Sequence, residues 1–208
     1  MIQPWGFDSY GEALRSAVEI YHTLKTVLRD RNLSTAVGDE GGFAPNLSDN
    51  EDALKVIEEA VDRAGYTWGE QIFVTLDPAS SELVTEARKL GREGYCFFSS
   101  DPDRVVTSDE MIDLWADWCS RYPIRSIEDG LGEDDWSGWK QLTSRLGESV
   151  QLVGDDLFAT NPKRLKFTNS LYQGVSCPEH GAVCLHDFLH FEAHRSGRRI
   201  TLRITKFI

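Results

Sequence analysis

The 208-residue chain has no long apolar run, and nothing in it approaches the ~18 to 20 consecutive apolar positions of a membrane-spanning helix. Its N-terminus lacks a basic stretch followed by an apolar one, so no secretory leader is expected. Cysteine is scarce: Cys96, Cys119, Cys177 and Cys184 are too few and too scattered for a disulfide framework. These absences predict a cytoplasmic protein with reduced thiols and no membrane partner. Positive charge is also in deficit, with 22 Lys and Arg against 34 Asp and Glu, a net charge of −12. The imbalance is uneven, because residues 163–208 sum to +5 and the other 162 residues carry −17. An acidic body excludes a nucleic-acid partner, whose binding depends on neutralising phosphates. There is no internal repeat and no low-complexity segment.

What is present is a regular alternation of elements. Ser9 and Glu12 form a capping box ahead of the apolar stripe Ala13, Leu14, Ala17, Val18, Tyr21, Leu24 and Leu28. Ser48 and Glu51 predict a second helix start, with Gly65 at its C-terminal end, and Thr107 and Glu110 predict a third that closes before Pro123. A fourth helix is expected from Asp134 to Leu146, stopping at Gly147. Between the helices lie β-type runs at 33–37, 72–76, 124–127 and 150–153, and residues 83–106 read as an excursion containing a hairpin. Strands alternating with helices through short connections predict an α/β fold with parallel strands.

Each of the four runs ends in acid: Asp39-Glu40, Asp77, Glu128-Asp129 and Asp155-Asp156. The stretch "TAVGDEGGFAPN" adds Gly41 and Gly42 directly after its pair. In parallel α/β folds the C-terminal strand ends form one rim, so acids distant in sequence meet there. Two carboxylates ~4 Å apart repel by on the order of 4 kcal/mol at an effective dielectric of ~20, which a cation among them relieves. An all-oxygen set favours a hard ion such as Mg²⁺. The alternative is that each acid caps the helix that follows it.

The motifs "MIQPWG", "AVGDEGGFAPNL", "LDPASSEL", "RYPIRSIEDGLGEDDWSGW" and "QLVGDDLFATNPKRL" resemble the barrel domain of enolase, the phosphopyruvate hydratase of glycolysis. They stand in the family's order from Met1 to about Leu165. The resemblance implies an incomplete enolase-type TIM-like β/α barrel over 1–165 and a diverged basic tail over 166–208. It implies Mg²⁺-dependent dehydration of 2-phosphoglycerate to phosphoenolpyruvate. By the same resemblance Glu40 is the acid that protonates the departing hydroxyl. Asp77, Glu128 and Asp155 are the Mg²⁺ ligands, and His194, Arg195 and Ser196 in "HRSG" are substrate-binding residues. Glycines beside Glu40 free the loop to approach a substrate. The family is homodimeric.

The sequence also departs from the family. Met1 aligns with an internal methionine, so the family's preceding α+β domain, with its closing loops and one further acid, is expected to be missing. The family's catalytic base is a lysine in the strand following Asp155, and "NSLYQGVSC" keeps Asn169 and Ser170 without that lysine. "HRSG" arrives early and is followed by Arg198 and Arg199 where acids are expected, and the last substrate-binding lysine would fall beyond Ile208. Cys177, His180, Cys184 and His186 are zinc-binding types, but their spacing fits no finger or ribbon. "RRITLRITKFI" alternates like a strand with one basic face. Two functional readings follow: an enolase-type lyase, or a non-catalytic enolase-like fragment that binds metal or a partner only.

Overall fold

The computed structural model describes residues 1–39, 41–159 and 161–164. The element order is β1 (Ile2–Pro4), α1 (Tyr10–Asp30), α2 (Asp52–Arg63), β2 (Ile72–Leu76), α3 (Ser80–Lys89), β3 (Tyr95–Cys96), β4 (Val105–Val106), α4 (Ser108–Arg121), β5 (Ile124–Glu128), α5 (Trp136–Leu146), β6 (Gln151–Val153) and α6 (Asp155–Phe158). The described residues form two compact units, Met1–Asp77 with Tyr122–Ile124, and Pro78–Arg121 with residues 125–164.

In the first unit, Ser9 caps α1 as its pattern predicts, its hydroxyl accepting from the Glu12 N–H at 3.2 Å. The apolar stripe of α1 (Ala17, Ile20, Leu24, Val27 and Leu28) packs with Val56, Ile57, Ala60 and Val61 of α2 in one buried cluster that includes Ile2, Phe43 and Ile72. Val27, Leu28, Ala60, Val61 and Ile72 are fully buried, so burial of apolar area is what holds these helices to the strands. Strand β1 pairs antiparallel with β2, Ile2 opposite Val74 and Pro4 opposite Ile72.

Two expectations change here. Helix α2 starts at Asp52 without the Ser48–Glu51 box: the Ser48 hydroxyl donates to Asp52 at 2.7 Å, and Asp49 accepts from the Glu51 N–H at 2.7 Å. An acid at each of 49 and 52 outcompetes the reciprocal bond that the sequence pattern offered. The run 33–37 is no strand, and only Val37 makes a β-bridge, to Phe43. Its backbone is used within its own loop: the Gly38 N–H donates to the Gly42 carbonyl at 2.8 Å, and the Ala44 N–H to that of Ala36 at 3.0 Å. Gly65, at φ +82°, ends α2 as expected.

In the second unit, Thr107 and Glu110 form the full capping box of α4. Thr107 Oγ1 accepts from the Glu110 N–H at 3.3 Å, and Glu110 Oε2 accepts from the Thr107 N–H at 2.8 Å. Helix α5 starts at Trp136 with Asp135 as its cap, two residues later than expected, and ends against Gly147. The excursion does contain a hairpin, β3 paired antiparallel with β4, but also helix α3, which sequence reading passed over. Strands β5 and β6 are parallel, Glu128 opposite Val153. Among the described residues the strands do not close into a barrel. No helix among them is long and apolar enough to cross a membrane.

Candidate metal centre

The sequence placed acids after four strands, and the structure bears this out for three of them, the run before Asp39 being no strand. Asp77 directly follows β2, Glu128 is the last residue of β5, and Asp129 follows it. Asp155 opens α6, two residues after β6 ends. Asp77, Glu128 and Asp129 each bring one carboxylate oxygen to within 4.8 Å of the others'. Asp155 is not among these three, and Asp129, which the sequence reading had not selected, is. Glu40, His194, Arg195 and Ser196 lie outside the described residues, as do the Cys/His set beginning at Cys177 and the alternating tail.

The loop after β5 is the most firmly built part of the site. Asp129 is only 3% exposed and sits at φ +46°, a left-handed conformation that Asp tolerates better than most residues. Its N–H donates to the Val153 carbonyl at 2.9 Å, and its carbonyl accepts from the Ser80 N–H at 3.1 Å. Its Oδ2 accepts from the Asp156 N–H at 3.0 Å. The indole N–H groups of Trp115 and Trp139 donate to the carbonyls of Gly130 and Gly132 at 2.7 and 3.1 Å. A Cβ on Gly130 would stand 2.8 Å from Ile127 Cγ2, so the packing admits only glycine there without a shift.

A second network supports the same loop. Asp135 Oδ2 accepts from Tyr95 Oη at 2.7 Å and from Ser108 Oγ at 2.5 Å, while its Oδ1 accepts from the Gly138 N–H at 2.9 Å. Tyr95 Oη in turn accepts from the Gly132 N–H at 3.1 Å. Burial, then the bond to Asp135, pushes the Tyr95 phenol well above its ordinary pKa.

On β1 and β2, Gln3 and Thr75 are buried, and Gln3 Oε1 and Thr75 Oγ1 have no hydrogen-bond partner among the described residues. Gln3 lies opposite Phe73, so strand alternation puts Gln3, Phe73 and Thr75 on one face, the face to which Asp77 continues. An oxygen left unpartnered in the interior costs roughly 1 to 3 kcal/mol, which a bound ligand can recover. Sequence reading missed both residues, because a single Gln or Thr inside a short strand gives no periodic signal.

The donor set decides what fits. Carboxylate oxygens within 4.8 Å of one another suit a hard divalent cation with water and ligand oxygens completing its shell. Repulsion of roughly 3 to 4 kcal/mol per ionised pair at an effective dielectric of ~20 would otherwise weigh on the fold.

The sequence pattern of the family described as enolase, C-terminal TIM barrel domain, matches residues 1–175. The chain belongs to that family. The strand-end acids Asp77, Glu128, Asp129 and Asp155 and the GDEGG loop all lie within the matched residues. The match also takes in Asn169 and Ser170.

Proposed function

We propose that this site serves the enolase reaction, the Mg²⁺-dependent dehydration of 2-phosphoglycerate to phosphoenolpyruvate. The observation that carries the reading is the convergence of Asp77, Glu128 and Asp129 on one point. Asp77 and Glu128 hold the ion, with Asp155 as the third ligand that the family resemblance supplies. When bound, Mg²⁺ neutralises the substrate carboxylate as C2 loses its proton.

The chain's own residues divide the remaining work. Glu40 donates a proton to the C3 hydroxyl, which leaves as water, and the glycines on either side let the loop come close. Gly41, at φ +88°, holds a conformation that a side chain would strain. Gln3 and Thr75 offer their unpartnered oxygens to hydroxyl groups of the substrate. Arg195 and Ser196, with His194 beside them, are the tail's candidates for the phosphate. A small-molecule substrate is the one partner this reading requires.

One observation favours the second reading, a metal-binding chain without turnover: "NSLYQGVSC" offers no lysine to take the C2 proton. Loss of a general base costs about 10²- to 10⁴-fold. The ultraviolet absorbance of phosphoenolpyruvate, followed with purified protein, 2-phosphoglycerate and Mg²⁺, separates the two. Turnover in the ordinary enzymatic range of about 1 to 10³ s⁻¹ that falls in Glu40→Gln supports the lyase. Absence of turnover in a protein that still binds Mg²⁺ supports the second reading.

A further inference from the structure

We propose that Asp129 is a positioning residue that sets Asp155 for the cation, an inference resting on the metal reading above. Asp129 already ties three elements of the second unit together. Its backbone joins the end of β6 to the start of α3, through Val153 O at 2.9 Å and the Ser80 N–H at 3.1 Å. Its carboxylate reaches the first turn of α6, where Oδ2 accepts from the Asp156 N–H at 3.0 Å.

That N–H belongs to the peptide unit joining Asp155 to Asp156. The unit is planar, so fixing its N–H also fixes the Cα of Asp155 and the origin of its side chain. Helix α6 spans only Asp155–Phe158 and has no side-chain cap from its own N-cap residue, Gly154. A helix of that length has little stability of its own and takes its orientation from what it is tied to. Asp129 supplies that tie from a residue 3% exposed, on a loop locked by two indole N–H groups. The left-handed φ of +46° at Asp129 is the conformation in which all three bonds are made.

Removing the Asp129 carboxylate has two separable effects: loss of a negative charge near the ion, and loss of the acceptor for Asp156. Asp129→Asn loses only the charge, since its amide oxygen accepts the same bond and Asn tolerates the left-handed region. Asp129→Gly loses both without backbone strain, and Asp129→Ala repeats that loss with a Cβ retained.

The test is Mn²⁺ binding followed by electron paramagnetic resonance, on the full chain and these variants, each also made with Asp155→Asn. Residues that orient metal ligands typically contribute 10- to 100-fold in affinity. Asp129→Gly and Asp129→Ala are therefore expected to bind at least about 10-fold more weakly than Asp129→Asn. In the Asp155→Asn background that gap should close to about 2-fold or less, because the residue being positioned is gone. Hydrogen exchange at the Asp156 amide should speed up in the Gly and Ala variants and stay slow in Asp129→Asn. Equal affinities for Asn, Gly and Ala at position 129, or a gap that survives Asp155→Asn, would overturn the positioning role while leaving the metal site standing. No Mn²⁺ binding by the unsubstituted chain would overturn the metal site, and the positioning role with it.

Discussion

The ring of Tyr21 stacks on Phe43, with centroids 4.4 Å apart and planes 19° from parallel. Tyr21 Oη also reaches the Gly41 carbonyl at 3.4 Å. Helix α1 thereby holds the loop at Gly41 and Phe43, and Phe43, 3% exposed, carries that hold into the core of the first unit. Placement of the loop at Gly41 is thus a consequence of a helix laid down twenty residues earlier in the chain.

Tyr21→Ala is expected to destabilise the protein by about 2 kcal/mol, through lost burial and lost stacking. Tyr21→Phe should cost well under about 1 kcal/mol, since it keeps the ring and gives up only a long hydrogen bond. Urea denaturation measures both. In Tyr21→Ala the amides of Gly38 and Gly41, which bond within the loop, should exchange faster than in Tyr21→Phe.

The α4 capping box has a pH signature. The Thr107 N–H bond, then the Thr107 hydroxyl, holds the Glu110 carboxyl below the usual carboxylate range. A depressed folded pKa contributes stability that is present above the unfolded value of about 4.3 and is lost as pH falls through the folded value. Melting temperatures between about pH 3 and 6 should therefore fall less steeply for Glu110→Gln than for the parent below about pH 4.3. Thr107→Ala should cost about 1 kcal/mol at neutral pH.

Burial pushes the Cys119 thiol up to about 11. Cys96 is buried, and desolvation raises its thiol as well. Alkylation by iodoacetamide at about pH 8, read residue by residue by mass spectrometry, should be on the order of 10²-fold slower at Cys119 in the folded protein than in urea. Equal rates would mean that the thiol is not held in the interior.

Much of this architecture was legible in the sequence, and the exceptions share a cause. Ser9 and Thr107 mark helix starts because each cap answers to a residue three positions away, and such local signals survive in sequence. Strands β2, β5 and β6 announced themselves as apolar runs ending in acid. The run at 33–37 failed because its apolar residues serve a tight loop: Val37 is 51% exposed and faces no core. Helix α3 went unread because its mixed, charged sequence buries only Ser80, Leu83 and Ala87. At the site, Asp77 and Glu128 were legible as strand-terminal acids. Asp129 was overlooked because its part depends on a left-handed backbone and on bonds to Ser80, Val153 and Asp156, partners that no spacing rule connects.

The central claim is that Asp77 and Glu128 hold a divalent cation in the folded protein. A thermal melt of the unsubstituted chain, Asp77→Asn and Glu128→Gln, each with and without millimolar Mg²⁺, tests it directly. A ligand that binds only the native state adds RT ln(1 + [L]/Kd), about 2.7 kcal/mol at a concentration 100 times Kd. The unsubstituted chain should melt several degrees higher with Mg²⁺, and both variants should lose that rise. No Mg²⁺ shift in the unsubstituted chain, or an equal shift in Asp77→Asn, would contradict the account.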